Sequence, residues 1–362
     1  MQQIAPGVYV HTDFRGCNVG LIETREGNIL IDTPMVPSDN QKWLGLIRQV
    51  TGGKKTLYVI NTDHHRGHVL GNQFYNAPVI AHDLAWKNMR GYGANFCQRV
   101  IDSFKREPKI QAELANLQIV RPTITFDTRL DIEHGGRTVR LIHVGGHTEA
   151  TILIWLPEEK ILFAGDTVWC DQHPYMAQAN SKQWLEALSF IRKLNPLIIV
   201  PGHGPLTTPD TTVPLSEYIR FVRRQVRARI RRGYSKQETA SSLVKSLVPM
   251  FPVPSDRRGK IESQIKQGIN RIYNEYKKGS DGKDKDDDRS GDRDEDSGEF
   301  EEFETPVDDD VEATEGGEYV GVDVDAEAEE YLDVDVEVGF ESDAETALLE
   351  DELIDEVEDL DE

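Results

Sequence analysis

Four apolar segments of this 362-residue chain each end in residues of the types that ligate metal ions. Residues 57–60 lead to Asp63, His65 and His68, residues 141–144 to His147, residues 161–164 to Asp166, and residues 197–200 to His203. Because the strands of a layered sheet bring their ends to one edge, these side chains are predicted to meet there. Three such groups are enough to hold a catalytic metal ion with one coordination position left open.

A metal ion at this edge makes hydrolysis the leading chemistry. A bound divalent ion lowers the pKa of water from about 16 to about 7 and polarises a carbonyl or phosphoryl oxygen. Asp166 is a catalytic candidate because its carboxylate could orient the attacking water. His173 and Tyr175 follow it on a segment that is expected to face the site, so they are candidates to contact substrate or donate a proton.

Hydrophobic periodicity indicates the elements that position these residues. Short apolar runs bounded by turns alternate with amphipathic helical patterns through residues 1–210, which is typical of an α/β domain. Residues 84–118 are predicted to be mostly helical, and the next strand is predicted at residues 138–144. Capping boxes at residues 38–41 and 235–238 predict two helix starts.

The leading motif, Asp63-His64-His65-Arg66-Gly67-His68, resembles that of the metallo-β-lactamase-fold hydrolases. His147, Asp166 and His203 stand in the family's later Gly-His, Gly-Asp and Pro-Gly-His-Gly motifs, so the resemblance covers roughly residues 4–206. It implies a four-layer αβ/βα sandwich of two mixed β-sheets, an α/β (α+β) fold with metals at one edge.

Two positions depart from the family's pattern. Asp63 stands where the family usually has its first histidine, and Gly67 stands where it has the aspartate that ligates the second metal. The resemblance implies one metal held by Asp63, His65 and His147, and a second held by His68 and His203, with Asp166 bridging. Because Gly67 has no side chain, the second site is expected to be weak or empty.

The ligand types bear on which metal is bound. Zinc is the leading expectation for one or two divalent ions at this site. The extra carboxylate oxygen of Asp63 adds hardness and negative charge, which favours iron or manganese more than a three-histidine site would.

The leading functional hypothesis is a metal-dependent hydrolase that acts on a small ester, thioester or lactone. The substrate class depends on analogy within the fold alone. One alternative is a catalytically weakened or non-catalytic member of the fold that acts as a regulatory or scaffold protein. Further alternatives are an iron-dependent redox enzyme and a phosphodiesterase.

The remainder of the chain divides by charge. Residues 1–278 carry a net charge of +12, whereas residues 279–362 carry −35. We predict a basic helical extension at residues 211–278, after a domain at residues 1–210, and a disordered acidic tail at residues 279–362. The tail is expected to bind a protein partner or to cover the basic surface of the helical extension. Two further possibilities are that nucleic acid binds this basic surface and that the protein forms a homodimer.

Composition excludes several other classes. No apolar run approaches the ~18 residues of a membrane span, and the first residues lack the pattern of an export signal. The three cysteines, Cys17, Cys97 and Cys170, include no Cys-x-x-Cys pair, which argues against a disulfide framework and a thiolate zinc site. A cytoplasmic protein is expected.

Overall fold

Twelve β-strands form two sheets in the computed structural model, which describes residues 1–280. The first sheet has the order β1-β2-β3-β4-β5-β6-β7, with β1 (Gln2–Ala5), β2 (Val8–His11), β3 (Val19–Glu23), β4 (Asn28–Ile31), β5 (Thr56–Ile60), β6 (Val79–His82) and β7 (Ile124–Phe126). The second has the order β12-β11-β10-β9-β8, with β8 (Arg129–His134), β9 (Arg137–His143), β10 (Ile152–Leu156), β11 (Ile161–Trp169) and β12 (Ile198–His203).

Both sheets are mixed. In the first sheet, β1 to β4 pair antiparallel and β4 to β7 pair parallel. In the second, β8 to β11 pair antiparallel and β11 pairs parallel with β12. Parallel neighbours bring their carboxyl ends to the same edge, which places the segments after β5, β11 and β12 where a shared site can form.

The main hydrophobic core lies between the two sheets. Val10, Ile31 and Ile60 of the first sheet pack there with Ile154 and Phe163 of the second, all almost fully buried. Alternate residues of the same strands point outward, because side chains in a strand alternate between faces. On the outer face of the first sheet they pack against helix α1 (Pro37–Thr51).

Helices complete the four layers. On the side of the first sheet, α3 (Asp83–Met89) packs against β6 and β7, and α5 (Pro108–Glu113) packs against α1. The short helix α2 (Arg66–Val69) follows β5 in the chain, and α4 (Ala94–Asp102) follows α3. Helix α6 (Ser181–Leu194) packs on β11 of the second sheet. The predicted four-layer αβ/βα sandwich is therefore confirmed.

Three long helices follow the sandwich: α7 (Thr212–Arg231), α8 (Lys236–Leu247) and α9 (Arg258–Ser280). α7 packs against α6 and α9, and α8 packs against α9. The side chain of Glu275 accepts hydrogen bonds from the backbone and hydroxyl of Ser181, and Arg271 Nε donates to Ala179 O at 2.7 Å. These contacts attach the three helices to the sandwich. The predicted domain boundary at residue 210, between the sandwich and the helical extension, stays a prediction.

One capping box is confirmed and one is wrong. Ser235 Oγ accepts from the Glu238 amide, and the Glu238 carboxylate accepts from the Ser235 amide at 2.8 Å. Helix α1 instead begins at Pro37 after Val36, and no side chain caps it. Proline suits the first helical position because its missing N–H would have no partner there.

The acidic tail falls outside the described residues from position 281 onward, so its predicted disorder is not addressed by the structure. Within residues 1–280, no helix is both long enough and apolar enough to cross a bilayer.

Candidate metal centre

The six predicted metal ligands lie together at one edge of the sandwich. Asp63, His65 and His68 follow β5, His147 follows β9, and Asp166 and His203 lie on β11 and β12. Their ligand atoms form two adjoining clusters. Asp166 belongs to both clusters, which places its carboxylate between them.

The first cluster joins two imidazoles and two carboxylates: Asp63, His65, His147 and Asp166. Nδ1 of His65 lies 3.0 Å from Asp63 Oδ2 and 3.1 Å from His147 Nε2. His147 Nε2 lies 3.6 Å from Asp63 Oδ2 and 3.4 Å from Asp166 Oδ2. Asp63, His147 and Asp166 are buried, and His65 is partly buried. The first cluster therefore forms the inner, solvent-shielded part of the site.

The second cluster joins His68, Asp166 and His203. Asp166 Oδ1 lies 3.5 Å from His68 Nε2 and 3.3 Å from His203 Nε2. The side chain of His203 is 26% exposed, so this cluster opens toward solvent.

These positions fit a divalent ion. Ligand atoms at about 2.0–2.2 Å from a tetrahedral ion lie about 3.3–3.6 Å from one another. The distances within the two clusters fall close to that spacing. Asp166 Oδ1 is also buried without a hydrogen bond from the described residues, which is a costly state for a carboxylate oxygen that binds nothing.

Electrostatics in the clusters favour ionised carboxylates. Burial by itself raises the pKa of Asp63, but the charges of His65 and His68 outweigh burial and hold that pKa well below its usual range. Burial lowers the pKa of His147 to about 4, which keeps its imidazole neutral near pH 7. Anionic carboxylates and neutral imidazoles are the forms that ligate metals, so Asp63 and His147 already have the ligating form. Burial lowers the pKa of His65 and His68, but acidic groups around them, Asp63 among them, outweigh burial and raise it, so these two imidazoles would release a proton when a metal binds.

Sequence reasoning missed Asp32, which orients one of the ligands. Asp32 Oδ2 lies 2.9 Å from His68 Nδ1 and accepts from the Thr62 hydroxyl at 2.6 Å, while Oδ1 accepts from the Thr62 amide at 2.8 Å. A carboxylate on Nδ1 fixes the His68 tautomer, so that Nε2 is left as the ligand atom. Asp32 directly follows apolar strand β4, the same pattern that identified the other site residues.

Replacing Asp32 with asparagine should weaken metal binding at the second cluster. An amide nitrogen facing His68 Nδ1 favours the tautomer with the proton on Nε2, which removes the ligand lone pair. The affinity for the more weakly bound ion should fall about 10–100-fold, the usual cost of losing such a partner. Asparagine tolerates the positive φ of 53° at this position, so the fold should persist.

Zinc titration with a competing chromophoric chelator measures this effect. Asp102→Asn, at an exposed position on α4, supplies the same chemical change as a control. Equal affinities of Asp32→Asn and wild type would show that Asp32 does not orient His68.

Gly67 leaves a gap beside the second cluster. It lines the same pocket as His68 and His203, and a neighbouring side chain is that of Cys17, whose Sγ lies 3.3 Å from Gly67 O. Burial raises the pKa of the Cys17 thiol to about 12. A thiolate is the ligating form of cysteine, so the neutral Cys17 thiol would have to lose its proton before it could ligate with Asp32 and His68, whose ligand atoms lie close to its own.

The segment that carries His203 is held by residues far away in the chain. Asn18 Nδ2 donates to Pro201 O at 2.8 Å and to Gly204 O at 2.9 Å. The ring of Trp169 stacks on His203 with the centroids 4.1 Å apart. Both contacts restrict the imidazole to the side of Asp166.

The two remaining catalytic candidates lie in different places. Tyr175 lines the pocket, with its ring centroid 5.9 Å from that of His65. The structure does not bring His173 to the clusters, which corrects the prediction of a catalytic role. His173 is buried against Tyr218 and Phe251, and its Nε2 lies 3.2 Å from Val248 O.

Above the clusters lies a pocket of about 920 Å³. His65, His68, Asp166 and His203 form part of its base, together with Trp169 and Tyr175. Its volume is near the upper end of the about 300–1,000 Å³ typical of small-molecule sites. The arrangement can therefore place a sizeable organic substrate against the predicted metal ligands.

Comparison with known proteins identifies related sequences. A family model described as the metallo-beta-lactamase superfamily matches residues 12–203. The beta-lactamase-like protein 2 homolog of Caenorhabditis elegans is 27% identical over 203 residues, which are 53% of this chain and 57% of that protein. An acyl-coenzyme A thioesterase of Homo sapiens is 25% identical over 162 residues, 42% of this chain and 58% of that protein. The chain thus spans somewhat more than half the length of these relatives.

A solved structure supports the fold. A metallo-beta-lactamase family protein from Thermus thermophilus superposes with a TM-score of 0.56 at 17% identity, covering 77% of this chain and 95% of that one. At this identity the likeness concerns the fold alone.

Proposed function

Because this chain belongs to the metallo-beta-lactamase superfamily, we propose that it is a metal-dependent hydrolase that cleaves a small ester- or thioester-type substrate. The relatives include hydrolases, among them the human acyl-coenzyme A thioesterase. The observation that carries the proposal is the position of Asp166. Its two oxygens face imidazoles of both clusters at 3.3–3.5 Å, at the base of an accessible pocket.

The donor set indicates which residues would hold the ions. Asp63, His65 and His147 would hold the first, His68 and His203 the second, and Asp166 would contact both. Zinc suits this set of nitrogen and oxygen donors. A bound ion supplies a hydroxide nucleophile at neutral pH and polarises the carbonyl that is attacked.

The chain's own residues would orient the attacking water and shield the site from bulk solvent. Asp166 is almost fully buried and anionic, so it can accept a hydrogen bond from a water molecule and hold it in one orientation. Asp32 fixes His68 from behind. The rings of Trp169 and Tyr175 line the pocket beside His65 and His203 and exclude bulk water from that side.

One observation favours a weaker catalyst as the second candidate function. Gly67 offers no carboxylate where the family pattern has one, so a second ion would have Asp166 as its one anionic ligand in this cluster, and the water would lack one acceptor. A regulatory or scaffold protein with a retained first metal site would show the same geometry.

Metal removal tests the hydrolase. Freshly purified full-length protein should contain close to one equivalent of metal, most of it zinc, by elemental analysis. Treatment with 1,10-phenanthroline should abolish hydrolysis of a p-nitrophenyl ester and an acyl thioester, and added zinc should restore it. The isomer 1,7-phenanthroline, which cannot chelate, is the control. Metal-loaded protein that cleaves neither substrate would favour the non-catalytic function.

A further inference from the structure

The helical extension contributes a wall to the pocket above the metal clusters. Arg257, Lys260 and Gln264 line this pocket together with Asp166 and His203. Arg257 lies in the turn before α9, and the other two lie on that helix. Residues three and four apart share one face of a helix, so all three present the same face to the pocket.

The two cations of this wall carry no charge partner in residues 1–280. The structure records no ion pair and no side-chain hydrogen bond for Arg257 or Lys260 within that part of the chain, and both are exposed. Two other cationic side chains that line the pocket already have hydrogen-bond partners. Arg15 forms a double contact with Glu107 at 2.5 and 2.8 Å, and Arg66 Nη1 donates to Ser103 Oγ at 3.0 Å.

Another part of the pocket lining is apolar. Phe14, Met35, Tyr92, Phe96 and Phe104 line the pocket, and most of them belong to one packed cluster beside α4. A ligand that fills this pocket therefore meets aromatic and thioether groups as well as two cations. That combination suits an amphiphilic anion.

The position of the cationic wall is defined by tight packing. A Cβ atom at Gly268 would lie 2.9 Å from the side chain of Met176, so the glycine lets α9 approach the sandwich closely. Farther along α9, Arg271 donates to Ala179 O, and Glu275 accepts from Ser181. The extension is thus fixed against the segment that follows β11, which carries the catalytic candidate Tyr175.

We propose that Arg257 and Lys260 bind an anionic group of the substrate, so that the enzyme prefers acyl or alkyl chains bearing a negative charge beyond the bond that is cleaved. This specificity determinant presupposes the proposed hydrolase. Charged hydrogen bonds from guanidinium and ammonium groups are short and strong, and they discriminate well against uncharged analogues.

Equilibrium binding tests the cationic wall without requiring turnover. Octanesulfonate and the uncharged methyl octyl sulfone are titrated into full-length protein by calorimetry. The wild type should bind the sulfonate more tightly. The double variant Arg257→Gln/Lys260→Gln should lose about tenfold in sulfonate affinity, and its sulfone affinity should be unchanged. The preference should also weaken with added salt, because exposed charges are screened.

The control is Arg232→Gln/Lys236→Gln, which removes the same charge from two exposed positions, one just after α7 and one at the start of α8, that do not line the pocket. Retained sulfonate affinity in the Arg257/Lys260 variant, or an equal loss in the control, would overturn the proposal. The same proteins are assayed on p-nitrophenyl esters of adipic acid and of its monomethyl ester. Absence of hydrolysis with an intact sulfonate preference would reject the hydrolase and keep the anion site.

Discussion

Replacing Asp166 with asparagine should strip metal from both clusters and lower kcat/KM at least about 100-fold. Asp166 is the side chain that both clusters share, with Oδ2 facing His147 and Oδ1 facing His68 and His203. Losing a group that only supports a ligand costs about 10–100-fold, so losing a ligand common to two ions should cost more.

Asparagine is chosen because it keeps the shape of the side chain. The carboxylate packs so closely on Gly202 that a Cβ atom there would lie 1.9 Å from Asp166 Oδ1. A smaller residue would leave a void, whereas an amide fills the same space and removes the negative charge alone. Its nitrogen is a donor that cannot ligate a metal ion.

Elemental analysis and ester hydrolysis measure the Asp166→Asn result, with circular dichroism and thermal melting as checks of folding. Asp102→Asn on the surface of α4 is the matched control and should keep wild-type metal content and activity. A folded Asp166→Asn protein with normal metal content would remove Asp166 from the ligand set and with it the main support for the hydrolase.

The ligand positions were predictable because each comes after a strongly apolar run of residues, although Asp166 and His203 lie within β11 and β12 and not beyond them. β10 is buried along its whole length and its sequence is continuously apolar, so its ends are clear in the sequence. β11 begins with an equally apolar run but continues through Asp166 to Trp169. The same signal was present for Asp32 after β4 and would have identified it. That these ligands lie close together at one edge of the sandwich then follows from the strand order of the two sheets and does not depend on any single residue.

Strands at the edge of the fold were not predictable in this way. β7 is mostly exposed, and β8 alternates between exposed and half-buried residues, which gives a polar sequence with little hydrophobic contrast. Their strand conformation comes from pairing with β6 and β9, whose positions are set elsewhere in the chain.

His173 illustrates a different limit. Its closeness to Asp166 in sequence suggested the site, but Tyr218, Val248 and Phe251 of the extension surround it. Which face of a loop is covered by residues far along the chain depends on tertiary packing. The same packing places Arg257 and Lys260 in the pocket lining. No local sequence pattern predicts the burial of His173 or the position of these two cations.

Gly67→Asp should create a strong second metal site. A Cβ atom at this position meets only the Gly16 backbone at an ordinary 3.5 Å, and the backbone there has no positive φ, so aspartate should be accommodated. The new carboxylate would join His68, Asp166 and His203 on the wall of the same pocket. Since one supporting partner already changes affinity about 10–100-fold, an added anionic ligand should tighten the second ion about 100-fold or more.

Metal stoichiometry measures the gain, which should rise from close to one ion per chain to close to two in the Gly67→Asp protein. Gly45→Asp is the control, because this helical glycine has nothing within 4 Å of an added Cβ and receives the same charge. An unchanged stoichiometry in folded Gly67→Asp protein would mean that the second cluster lacks more than this carboxylate. A rise in hydrolysis alongside the second ion would show that the missing ligand also limits catalysis, since two ions stabilise both the attacking and the leaving group.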